Sequence, residues 1–241
     1  MKLITKKDNQ ITFEGEISES LANAIRRYFL QVPVLAVDEL EISKNDSPLY
    51  DEAISHRVGL VPLKMDKDLK EDAEIELKLS ADKQGFVYAE QLVGKAKIIY
   101  PKTPITYLDK DQEVEFKAIA RIGKGDTHAK FSPGFMFYRN LVEVKVEKDC
   151  PSEVVEICPQ DVFELDSGKV KVKDASKCDM CEACVDFCRK RKKEESIKLS
   201  AAKELLITVE SYGQIEPKEI FKEAVAALKK DLKELSRKLS K

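Results

Sequence analysis

The sequence predicts an α+β protein: a discontinuous α/β domain built from both chain ends, an inserted mainly β domain and a small cysteine-rich domain. Three observations lead there. Residues 1–44 and 198–241 share one texture, strands plus one amphipathic helix each. Residues 45–149 alternate apolar and polar positions between Gly, Pro and Asp-Lys turns. Residues 150–197 hold all six cysteines and little apolar matter.

The elements follow in order. Residues 2–17 read as a hairpin, with KKDNQ as its polar turn. In ISESLANAIRRYFLQVP, Leu21, Ile25, Tyr28, Phe29 and Val32 fall on one helical face. Ser18 or Ser20 can cap that helix. Pro33 ends it, because proline lacks an N–H and disfavours helical geometry in the residue before it. Residues 34–42, VLAVDELEI, return as a strand. Alternation then marks strands at Ile75-Leu77-Leu79, Val114-Phe116-Ala118 and Val142-Val144-Val146, all assigned to the inserted β domain, with one short helix near Asp51–Val58. Residues 203–211, KELLITVES, form a strand of the end domain, and Gly213 marks a turn. A long helix starts at Pro217, a favourable first helical position. Phe221, Val225, Leu228, Leu232, Leu235 and Leu239 recur along it at heptad-like gaps. That stripe outruns the small sheet it could cover, so a partner chain is expected to share it.

Composition narrows the function classes. Hydrophobic residues make up 43% of the chain, enough for real cores and against disorder. Charged residues reach 36%, against roughly 25% in an average protein. Lys and Glu dominate, a balance characteristic of heat-adapted proteins. The net charge of −2 gives no global basic field, so contact with DNA is expected only through a larger complex. The start has no apolar core of signal-peptide length, and no run of about 18 apolar residues occurs. The protein is expected to be soluble and cytoplasmic, where clustered cysteines favour metal over a disulfide framework.

The stretch CDMCEACVDFC carries Cys178, Cys181, Cys184 and Cys188. Its first three cysteines sit at the spacing that wraps one cuboidal iron–sulfur cluster, and the run resembles half of a two-cluster ferredoxin. In such ferredoxins the fourth cysteine of a run serves the other cluster. By that pattern the remaining ligand is Cys158, which precedes Pro159, and VFELDSGKVKVKD resembles the hairpin linking ferredoxin halves. Counting back from Cys158 by the same spacing gives Val154, Pro151 and Lys148, none of them a ligand. One [4Fe-4S] cluster is therefore expected on Cys158, Cys178, Cys181 and Cys184. Zinc held by four cysteines is the alternative. Cys150 and Cys188 are left over, near the vacated site, either as two free thiols or as a disulfide. Arg189 stands where ferredoxins usually carry proline.

No catalytic residues are apparent. GKGDT at 123–127 lacks the phosphate-loop frame and reads as a turn. His56 and His128, the only histidines, have no Ser or Cys nucleophile paired with them in the sequence. RKRKK at 189–193 runs into Glu194 and Glu195 and reads as a solvated turn. Arg26 and Arg27 flank the first helix's apolar stripe and suit a solvated edge or a partner's carboxylates.

Four stretches converge on one family. LANAIRRYFLQVPVLAVDELEI resembles the helix and strand of the α-like assembly subunits of DNA-directed RNA polymerase. NDSPLYDEAISHRVGLVPL and RIGKGDTHAKFSP resemble segments peculiar to their archaeal and eukaryotic forms. VESYGQIEPKEIFKEAVAALKKDL resembles the family's C-terminal dimerisation helix. With the cysteine insert, the chain resembles the archaeal branch of these α-like assembly subunits over nearly its whole length. The resemblance implies a dimerisation domain at 1–44 and 198–241, an inserted β-rich domain at 45–149 and a ferredoxin-like domain at 150–197. It implies pairing with the smaller α-like subunit L, then joining by subunits N and P and by the second-largest catalytic subunit. Leu21, Ile25, Phe29, Phe221, Val225, Leu228, Leu232 and Leu235 would lie at or beneath that interface. Nucleotide-addition chemistry would sit on other subunits. A ferredoxin-type electron carrier and a zinc-stapled DNA-binding factor remain the rival classes. The carrier lacks a Gly-x-Gly-x-x-Gly site and the first cluster's ligands, and the DNA-binding factor lacks a basic recognition helix.

Overall fold

The computed structural model describes residues 2–66, 68–70, 72–147, 149–193 and 195–240. Outside them lie Lys148, reached by counting back to the lost first ligand, Glu194 after the basic run, and the ends Met1 and Lys241 of the expected end domain.

The chain opens with strands β1 (Lys2–Lys7) and β2 (Gln10–Gly15), then helix α1 (Glu19–Tyr28) and a 3-10 turn at Phe29–Gln31. The Ser18 hydroxyl accepts the Leu21 N–H at 3.2 Å, so Ser18 is the cap. Strand β3 (Val34–Asn45) begins directly after Pro33. Helix α2 (Asp51–Gly59) follows, then β4 (Ile75–Ala81), β5 (Gly85–Tyr88), β6 (Val93–Gly94), β7 (Pro104–Leu108), β8 (Val114–Gly123) and β9 (Gly134–Val146). The cysteine region holds α3 (Val154–Ile157), β10 (Phe163–Asp166), β11 (Lys169–Val172) and α4 (Ala183–Lys190). Strand β12 (Ile197–Ser211) and helix α5 (Pro217–Leu239) close the chain. No described helix is long and apolar enough to cross a membrane.

The chain divides into two compact units. One gathers Met1–Thr5, Thr12–Ala22 and Phe137–Thr208, the other Lys6–Ile11, Asn23–Met136 and Val209–Lys241. In the second unit a sheet runs in the order β3-β8-β4-β6, beside the two-stranded pair β5-β7. Strand β3 outlasts the expected stop near residue 42, because β8 pairs with it from Val34↔Gly123 to Asn45↔Val114. Leu77 and Leu79 of β4 pair with Ala118 and Phe116 of β8 on one buried face. Ile54 and Val58 of α2 pack into the same core.

A further sheet has the order β1-β2-β12-β9. This corrects one expectation: the Val142-Val144-Val146 strand joins the sheet of the chain ends rather than the inserted β domain. Alternation marks a strand but is silent about its partner, which is a long-range choice. Strand β12 also starts at Ile197, earlier than expected. Gly134 opens β9 with φ +155, where a Cβ would collide with the Glu210 carbonyl. Only glycine allows so close an approach.

Candidate metal centre and pairing face

Cys158 follows α3 directly and turns extended, at φ −76 and ψ 112. After Pro159 the chain forms the β10–β11 hairpin, whose turn uses left-handed Ser167 (φ 51) and Gly168 (φ 77). It then enters a 3-10 turn at Ala175–Lys177, capped by the Asp174 carboxylate, and reaches Cys178. Two further left-handed residues, Met180 (φ 58) and Glu182 (φ 60), curl the backbone between the next cysteines. Asp179 Oδ1 accepts the Cys181 N–H at 3.1 Å. Helix α4 starts at Ala183, so Cys184 stands in its first turn. Cys158, Cys178, Cys181 and Cys184 line one small cavity with Pro159 and Phe163.

The cavity disfavours the thiolate at Cys181 and Cys184. Burial pushes the Cys184 thiol up to about 11. The Val185 N–H opposes that shift, while Cys158 and Cys178 add to it. At Cys181 the largest influence is the Ala183 N–H, which favours the thiolate. Burial and Asp179 outweigh it and leave the thiol raised. Sulfurs so arranged shed their protons readily only for a cation. Among the described residues, no three His, Cys, Asp or Glu side chains converge closely enough for a single ion.

The other two cysteines form a pair. Cys188 is fully buried and lies near Cys150, whose Sγ donates to the Pro151 carbonyl at 3.8 Å. Burial, reinforced by Cys188, pushes Cys150 up to about 12. The structure holds all six cysteines as free thiols.

The apolar stripe of α5 divides along its length. Ile220, Ala224 and Leu228 are buried in this chain. Phe221 and Val225 are half-buried, whereas Leu232, Leu235 and Leu239 are 55%, 53% and 78% exposed. At 100° per residue the buried line is rotated by roughly 60° from the Phe221–Leu239 stripe. The helix thus covers its own core with one flank and keeps the C-terminal part of the stripe, Leu232, Leu235 and Leu239, outward. It packs against the turn holding buried Phe29, and Tyr28 Oη donates to Asp231 Oδ2 at 2.9 Å. Ile25 is buried, while Leu21 and Leu30 are exposed.

A family model described as the RNA polymerase Rpb3/Rpb11 dimerisation domain matches residues 12–232. The chain belongs to that family. It is 40% identical over 161 residues to DNA-directed RNA polymerase subunit Rpo3 of Pyrococcus horikoshii, covering 61% of this chain and 62% of the relative. The Rpo3 subunit of Methanothermobacter thermautotrophicus is 30% identical over 247 residues, covering 93% of this chain and 92% of its own. That of Archaeoglobus fulgidus is 30% identical over 258 residues, covering 98% and 96%. The match thus spans less than two thirds of the Pyrococcus relative and nearly all of the latter two.

Other residues singled out in this dimerisation-domain chain are largely engaged locally. Arg189 pairs with Asp186, Arg191 pairs with Glu153 and lies over Phe187, and Lys193 donates to the Asp149 carbonyl. The GKGDT segment is a turn closed by Thr127 on the Lys124 carbonyl. Arg26 donates twice to Asn23. His56 and His128 line a shallow cleft with Asp38 and Lys130, and His128 Nδ1 accepts the Lys130 N–H. Among the described residues neither histidine is hydrogen-bonded to a Ser or Cys side chain. Sequence reading missed one residue beside the cysteine cavity, Arg139 of β9, whose guanidinium donates to the Cys178 carbonyl at 2.5 Å. No local signal marks it, since a lone Arg on a strand reads as solvent-facing.

Proposed function

We propose that this chain is a non-catalytic assembly and scaffold subunit of DNA-dependent RNA polymerase. It pairs with the smaller α-like subunit L to nucleate the enzyme, and N, P and the second-largest catalytic subunit join the pair. The observation that carries the reading is the outward run of Leu232, Leu235 and Leu239 on α5 within a chain of the Rpb3/Rpb11 dimerisation-domain family. Burying it on a second chain removes exposed leucines from water and needs no rearrangement of the core that Ile220, Ala224 and Leu228 complete.

In this reading Cys158, Cys178, Cys181 and Cys184 hold one [4Fe-4S] cluster. The residues fit: the thiols share a cavity, and N–H groups of Ala183 and Val185 face two of them. The Cys-x2-Cys-x2-Cys spacing of Cys178, Cys181 and Cys184 along the chain supports a cluster over zinc. The cluster supplies cross-links between loops, a structural role. Neither the electron-carrier nor the DNA-binding reading finds support in the comparisons.

The test is co-expression with the smaller subunit under anaerobic conditions. Leu232→Glu with Leu235→Glu should abolish pairing in gel filtration, since buried unpaired charges cost several kcal/mol. Both positions are exposed here, so the lone chain should keep its stability within about 0.5 kcal/mol and its iron. Unimpaired pairing removes α5 from the interface. Zinc in place of iron and sulfide rejects the cluster.

A further inference from the structure

Arg139 reaches the loop that presents Cys178. Its Nη1 donates to the Cys178 carbonyl at 2.5 Å and its Nη2 to the Ser176 carbonyl. One planar head thus takes two carbonyls two residues apart, a forked geometry that guanidinium provides and ammonium does not. The turn's own backbone bonds use other carbonyls: Lys177 N–H donates to Asp174 and Cys178 N–H to Ala175. Asp174 Oδ1 fastens the turn from its start, accepting the Ser176 N–H at 3.0 Å. Asp174 therefore anchors the entry to the ligand loop, and Arg139 anchors its exit at Cys178.

The charge is as informative as the fork. These two hydrogen bonds are partly buried, yet among the described residues no carboxylate pairs with Arg139. Other arginines of this unit, Arg189 and Arg191, each have an acidic partner. A half-buried cation satisfied only by neutral carbonyls is costly unless negative charge stands nearby. Thiolate ligands provide such charge, and Cys178 is the residue Arg139 holds.

We propose that Arg139 is a positioning residue of the metal centre, fixing the Cys178 loop by its fork and balancing the charge of the ligand set with its guanidinium. The proposal rests on the reading that the four cysteines hold a [4Fe-4S] cluster. Outer-shell partners of this kind govern how tightly a metal is retained and at what potential it is reduced.

The experiment compares wild type, Arg139→Lys and Arg139→Gln as full chains purified anaerobically with the smaller subunit. Iron release to an external chelator and the midpoint potential from a reductive titration are measured on each. Both variants lose the fork and should release iron about tenfold faster. Arg139→Lys keeps the positive charge and should keep the wild-type potential. Arg139→Gln loses that charge and should shift the potential to more negative values, because adding an electron is no longer assisted. A structural role alone would not separate the two variants by potential. If Arg139→Gln does not accumulate, iron release from Arg139→Lys decides. Wild-type release rates, together with a wild-type potential in Arg139→Gln, overturn this inference while leaving the cluster reading intact. Wild-type protein that binds no iron overturns both.

Discussion

Two of the cores in this chain are built from different materials. Among the described residues, the core beneath β3, β8 and β4 has eighteen buried ones, from Leu35 to Ala120, and no cysteine. The core around α3, α4 and the β10–β11 hairpin has nine, of which Cys178, Cys184 and Cys188 are three. Hydrophobic burial sustains the first. Burial scales with core size, and a region this small gains too little from it to offset chain entropy. The second core also borrows Val142 from β9 and Ile197 from β12, outside the β10–β11 hairpin and helices α3 and α4. The difference teaches that sulfur in the second core stands where aliphatic volume stands in the first, and a sulfur that binds metal adds a cross-link that a leucine cannot.

The largest expected effect follows from removing that cross-link. Chelating the metal, or Cys158→Ser, Cys178→Ser, Cys181→Ser or Cys184→Ser, should melt the region around residues 150–197. The β core should keep its amide-exchange protection. Cys188→Ser should spare the iron. Equal loss of protection in both cores would erase the comparison, and loss of iron in Cys188→Ser with retention in Cys158→Ser would reverse the ligand assignment.

Next comes the reverse perturbation. Phe116→Ala opens a cavity in the aliphatic core and should cost about 3–5 kcal/mol. Denaturation of the β core should show this loss equally with and without metal. A loss that vanishes on chelation would mean that the two cores do not stand independently.

A smaller effect is expected at the Cys150–Cys188 pair. Oxidation would close a loop of about 40 residues and contribute about 4 kcal/mol in metal-free protein, part of what the proposed cluster would contribute. Burial raises both thiols, so little thiolate forms near neutrality. The reaction should therefore be slow there and quicken about tenfold per pH unit, followed by mass spectrometry of non-reduced digests. Two freely alkylated thiols after prolonged alkaline oxidation would rule the bond out.

The sequence by itself determined what depends on neighbours along the chain. Pro33 and Pro217 bound two helices, because a missing N–H acts at its own position. Alternation located β4 and β8 because the side-chain period of a strand is local. The spacing of Cys178, Cys181 and Cys184 set them on one loop and one helix turn, from which a shared cavity follows. Tertiary structure alone decided the rest. It sent β9 to the edge of the β1-β2-β12 sheet, a pairing between residues far apart that alternation does not encode. It turned α5 so that Ile220, Ala224 and Leu228 face inward and Leu232, Leu235 and Leu239 outward, whereas the heptad pattern ran evenly through both halves. It set Arg139 against the Cys178 carbonyl, 39 positions away. Periodicity fixes which face of an element is apolar, but the choice of what covers that face is made by shape and charge brought together only when the whole chain has folded.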